Sequence, residues 1–114
     1  MNFQYSKLSF LFATLLSLIA TSVQAFDEEA AKALAKKNDC FKCHNVEKTK
    51  KGPAYKKVAE KYKGKEAEAE TKIYKHLTTG PKVKLEDGSE EEHRIIDTKD
   101  KAEIKNLIQW IIAQ

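Results

Sequence analysis

The sequence predicts an all-α fold of about four short helices. Apolar residues recur at helical spacing in several separate stretches, each bounded by acids at its start or by glycine and proline at its end. The strongest of these is the last. Ile104, Leu107, Ile108, Ile111 and Ile112 form a wide apolar stripe beside Trp110. No strand–helix–strand alternation accompanies them, which excludes a parallel α/β architecture. At 114 residues the chain is one domain at most, and a domain this small usually needs a staple or a bound group to complete its core.

Residues 1–25 contain no acid and a single base, Lys7, followed by an apolar run from Leu8 to Ala20. Val23-Gln24-Ala25 then offers the small residues a signal peptidase needs. This reads as a cleavable secretory signal, with an apolar run too short for a comfortable membrane span, and it leaves residues 26–114 as the mature domain. Stable membrane insertion after cleavage is not expected.

The first helix is expected over residues 27–37. Asp27, Glu28 and Glu29 lie in its opening turn, Lys36 and Lys37 at its end, and Ala30, Ala31 and Leu34 share one face. Residues 45–51 are polar and aperiodic and read as a loop. Gly52-Pro53 punctuates the chain, with Pro53 suited to the first position of a new helix carrying Tyr55, Val58, Ala59 and Tyr62. Gly64 is placed to end it. A third helix follows over 66–79, with Ile73, Tyr74 and Leu77 as its apolar side, and Gly80-Pro81 stops it. Residues 82–96 read as an irregular loop with a small hairpin, because Asp87-Gly88 is a turn signal between polar alternations. Asp100 to Glu103 resembles a capping box that opens the last helix.

Between the first helix and the loop stands Cys40-Phe41-Lys42-Cys43-His44. Two cysteines three apart with a histidine after the second form the attachment pattern of a c-type haem. Each thiol can close a thioether to one vinyl group, and the adjacent imidazole reaches the iron from one face. Cys40 and Cys43 are the only cysteines, so none remains for a disulfide framework. A thiol–disulfide switch would be chemically possible in an exported protein, yet such pairs usually open a helix after a strand. A structural zinc site is one ligand short, since Cys40, Cys43 and His44 supply only three.

Charge is unevenly placed. Beyond Lys7 the chain has twenty bases and seventeen acids. Residues 36–65 hold eleven lysines against three acids, and residues 66–100 hold six bases against ten acids. A basic field around the cysteine motif would steer an acidic protein partner. Export, the acidic second half and the lack of a binding motif argue against nucleic acid.

With the Cys40–His44 motif, the Gly52-Pro53-Ala54-Tyr55 segment opening a lysine-rich helix, and the Trp110 helix, the chain resembles a small bacterial class I cytochrome c with one haem. The resemblance implies that fold, with the N- and C-terminal helices crossing beside one covalently attached haem c. It implies a non-enzymatic role, in which the chain carries electrons between protein partners in the periplasm. It also implies that the Pro53 carbonyl accepts a hydrogen bond from His44, the proximal ligand.

The family usually supplies a methionine as the second axial ligand. Here the only methionine is Met1. Of the other histidines, His93 lies seventeen residues before Trp110, close to where that methionine would fall, whereas His76 sits on the third helix. The expectation is therefore a His44/His93 haem of lower potential than methionine-ligated relatives, with His76 outside the site. The competing expectation is a five-coordinate or easily opened haem that binds carbon monoxide, nitric oxide or peroxide.

Overall fold

The computed structural model describes residues 26–114. The expected signal segment, residues 1–25, lies outside the described residues. No helix among those described is long and apolar enough to cross a membrane.

Five helices and one hairpin follow in order: α1 Glu28–Lys37, α2 Cys40–Cys43, α3 Tyr55–Lys61, α4 Glu66–Thr79, β1 Lys82–Lys84, β2 Glu90–Glu92 and α5 Lys101–Ile112. Four of the helices are those the sequence predicts. The additional α2 is the single turn that contains both cysteines. The hairpin is also as expected, with Val83 opposite Glu91 in antiparallel register and Gly88 at φ +84° in the turn.

Each helix begins or ends for a local reason. The Asp27 carboxylate accepts the Ala30 N–H at 3.1 Å, with Glu28 and Glu29 behind it in the first turn. Helix α4 stops at Gly80, whose φ of +59° suits a residue without Cβ. Helix α3 starts later than the sequence suggests. Ala54 is its cap and Pro53 precedes the helix, with the Pro53 carbonyl turned to the His44 ring instead. At α5, Asp100 accepts from Ala102 and Glu103 N–H, as a capping residue should. Glu103 does not close the expected box. Its carboxylate takes the Thr98 hydroxyl at 2.8 Å, and Thr98 Oγ1 in turn accepts the Asp100 N–H.

Helix α5 is the hub, packing on α1, α3 and α4. Ile104, Leu107, Ile108 and Trp110 are fully buried there, and each such side chain contributes about 1.5–3 kcal/mol. Ala31 and Ala35 form the buried face of α1, where small side chains allow the close crossing with α5. That face is rotated from the expected one, leaving Ala30 exposed. Tyr55, Leu77 and Ile96 close the core from the other elements.

Candidate haem site

The cysteine motif is presented by a sharp corner. After α1 the chain passes through Asp39, whose φ of +56° is the only positive value at a non-glycine among the described residues. This left-handed residue lets α2 start at once in a new direction. The His44 N–H closes the turn on the Cys40 carbonyl at 2.9 Å. Beyond it the loop folds back: His44 bridges Thr49, and the Gly52 N–H donates to the Cys43 carbonyl at 2.8 Å.

That return places three groups around the His44 ring. Nδ1 donates to the Pro53 carbonyl at 2.8 Å. Because a carbonyl can only accept, the proton resides on Nδ1 and Nε2 keeps the lone pair that a metal requires. Tyr55 stacks on the ring with centroids 5.1 Å apart and planes 20° from parallel. Gly52 lies against it so closely that a Cβ there would stand 2.5 Å from Cε1. Burial pushes the imidazole below the usual histidine range, against the opposing pull of the Pro53 hydrogen bond, and so favours the neutral, ligating form.

His93 follows β2. Its N–H donates to the Pro81 carbonyl and its Nδ1 to the Arg94 carbonyl, both at 2.9 Å, which leaves Nε2 as the ring nitrogen available to a metal. The His44 and His93 ring centres are 6.3 Å apart with planes inclined at 47°. A metal bonded to one nitrogen of each ring, with bonds of about 2 Å, separates the ring centres by a little over 6 Å. The observed separation of the ring centres matches that distance. His76, which the sequence reading leaves outside the site, approaches His93 edge-on at 5.4 Å. It lies one turn before the end of α4, and only the fold reveals that this turn faces the His93 segment.

Cys40 and Cys43 are both partly buried and free. Burial pushes the Cys40 thiol above its ordinary range, which disfavours the thiolate that a redox switch would need. No cluster of three or more histidine, cysteine, aspartate or glutamate side chains is arranged as a metal site of its own among the described residues. Cys40, Cys43 and His44 instead fit the covalent attachment of haem. Among the described residues, two buried polar side-chain atoms, Thr49 Oγ1 and Trp110 Nε1, lack a protein partner. Both belong to this neighbourhood: Thr49 pairs with His44, and Trp110 packs edge-on against Phe41 and Tyr55.

Comparison with known proteins agrees with haem attachment at Cys40, Cys43 and His44. Residues 28–113 match the sequence model of the cytochrome c family. Cytochrome c2 of Rhodocyclus tenuis is 37% identical over 82 residues, which cover 71% of this chain and 88% of the relative. Cytochrome c-551 of Allochromatium vinosum is 45% identical over 47 residues, 41% of this chain and 50% of that protein. Among solved structures, the class 1 cytochrome MtoD of Sideroxydans lithotrophicus ES-1 superposes with a TM-score of 0.73 at 55% identity, covering 78% of this chain and 97% of its own. Nitrosomonas europaea cytochrome c552 gives 0.53 at 31% identity, covering 71% and 95%. The chain belongs to the cytochrome c family, with the class I fold and one covalently attached haem c.

Proposed function

We propose that this cytochrome c is an exported, periplasmic electron carrier whose haem iron is ligated by His44 and His93. The observation that carries the reading is the 6.3 Å spacing of the two imidazoles, each with its Nδ1 proton engaged by a backbone carbonyl. The absence of any methionine beyond Met1 supports it, since no thioether from residues 26–114 can compete for the position. Residues 1–25 act as the cleaved signal, and residues 26–114 form the working domain.

The bound haem supplies a one-electron ferric/ferrous couple. The protein's residues do the rest. Cys40 and Cys43 hold the group covalently, so it is not lost in transit. Pro53, Gly52 and Tyr55 fix the His44 ring from three sides, which keeps its geometry the same in both oxidation states. His93 fills the opposite face, so substrates are kept off the iron and the chain acts as a carrier. A second imidazole favours ferric iron relative to a thioether, which lowers the potential. The lysine-rich segment meets an acidic docking surface on the redox partner proteins.

The test is spectroscopic. A pyridine haemochrome assay on natively expressed protein should report one c-type haem with both vinyl groups saturated. The wild type should be low-spin in both oxidation states and should not respond to carbon monoxide. His93→Ala should become high-spin and form a carbon monoxide adduct. A high-spin wild type would instead favour the open, ligand-binding haem, and a spectrum unchanged in His93→Ala would overturn His93 as the ligand.

A further inference from the structure

We infer that the Asp39–Arg94 ion pair is a clasp that positions His93, tying the distal ligand's segment to the residue that precedes the first haem cysteine. This rests on the His44/His93 reading. Arg94 Nη1 meets Asp39 Oδ2 at 2.9 Å across fifty-five positions of sequence. The pair joins two residues that are each adjacent in sequence to a residue of the site. Asp39 stands before Cys40, and Arg94 stands after His93.

The backbone of both residues is already committed to the site. Asp39 occupies the left-handed conformation that turns α1 into α2, an unusual one for a residue with a side chain. The Arg94 carbonyl accepts the His93 Nδ1 proton. The same residue thus orients the ring through its main chain and is anchored through its side chain. A second tie runs parallel. Asn38, only 2% exposed, accepts the Asp97 N–H at 2.9 Å and donates to the Leu34 carbonyl at 3.0 Å. Residues 93–97 therefore rest on the 38–39 corner, while the His93 and Ile96 N–H groups hold them to Pro81 and Leu77 on the other side.

Asp39 and Arg94 are partly exposed, so their attraction is modest and screened. Its consequence is the lifetime of the closed distal face, because releasing His93 requires the Arg94 backbone to swing away. The clasp is a positioning device and touches no reacting atom.

The experiment follows cyanide capture by the ferric holoprotein at saturating cyanide, where displacement of His93 limits the rate. Asp39→Asn removes the charge while keeping a side chain that tolerates the left-handed backbone. Asp39→Asn and Arg94→Gln should each bind cyanide roughly three- to fivefold faster than wild type. The double variant should be no faster than Asp39→Asn alone, which already removes the Arg94 pair together with the weaker 3.5 Å approach of Lys42. Lys32→Gln, which breaks the 2.7 Å pair with Glu28 on α1, should leave the rate unchanged. Wild-type rates in both clasp variants, fully additive effects in the double variant, or equal acceleration by Lys32→Gln would overturn the inference. His93→Ala in the same assay separates the two levels. If it is no faster than wild type, the ligand assignment fails. If it is fast while the clasp variants are not, only the clasp fails.

Discussion

Gly52 shows how tightly single residues constrain the proximal side. Its importance is spatial: an added methyl would stand 2.5 Å from His44 Cε1 and 2.8 Å from Nδ1. The ring cannot retreat freely, because Tyr55 stacks on it and Pro53 holds Nδ1. Gly52→Ala should therefore destabilise the holoprotein by about 1–3 kcal/mol, as overpacking does. Denaturant unfolding followed at the haem absorbance would measure it, and a loss under 0.5 kcal/mol would show that the loop yields. On the distal side, His93→Met should raise the potential by at least roughly 60 mV, tenfold in the one-electron equilibrium constant. Voltammetry of both proteins decides this, and an unchanged potential would mean that His93 does not bind iron. Cys40, Cys43 and His44 were legible in the sequence because their spacing is local. The Pro53 contact was reached through family resemblance, and the structure contains it. The contacts of Gly52, Asp39, Arg94 and His76 were not legible, because each depends on a segment folding back over many residues.

At the scale of elements, the crossing of α1 and α5 has a polar fastening. Asn106 Oδ1 accepts the Asp27 N–H at 2.7 Å, and its Nδ2 donates to the Asp27 carbonyl at 2.8 Å. One side-chain amide thus pairs both backbone groups of the residue that caps α1. Asn106→Ala should cost about 1–2 kcal/mol, since two hydrogen bonds are lost where water can partly replace them. Asn106→Asp should be nearly as damaging, because a carboxylate accepts but cannot donate. Thermal unfolding of the holoproteins would rank the three, and an Asp variant as stable as wild type would contradict the donor role. Helix positions were largely legible because caps and stops are local: α4 runs from Glu66 to Thr79 and stops at Gly80 as its sequence signals suggest. The exact buried face of α1 was not, since Ala30, Ala31, Leu34 and Ala35 are all admissible until α5 chooses among them. The start of α3 lies two residues later than its sequence suggests. Pro53 gives up the first helical position and supplies the carbonyl that orients His44.

At the scale of the whole molecule, charge follows the order of the chain. The lysine-rich stretch 36–65 contains the cysteine motif and its return loop, while the acids gather in α4 and the hairpin. The two halves are only partly neutralised by one another, as where Lys51 meets Glu91 at 3.7 Å. Lys42, between the two cysteines, is strongly exposed and has only a 3.5 Å approach to Asp39. A carrier of this kind should react with small redox reagents according to their sign. Oxidation by an anionic reagent such as ferricyanide should outpace oxidation by a cationic one of similar driving force. Raising the ionic strength from about 0.01 M to 1 M shortens the screening length from about 30 Å to 3 Å, so the advantage should shrink by roughly tenfold or more. Lys42→Glu should reduce the low-salt rate with the anion and leave the high-salt rate near wild type. Stopped-flow oxidation across a salt series gives both readings. A rate with ferricyanide that rises with salt would place an acidic surface at the point of electron exit, and the partner's docking face would then have to be basic.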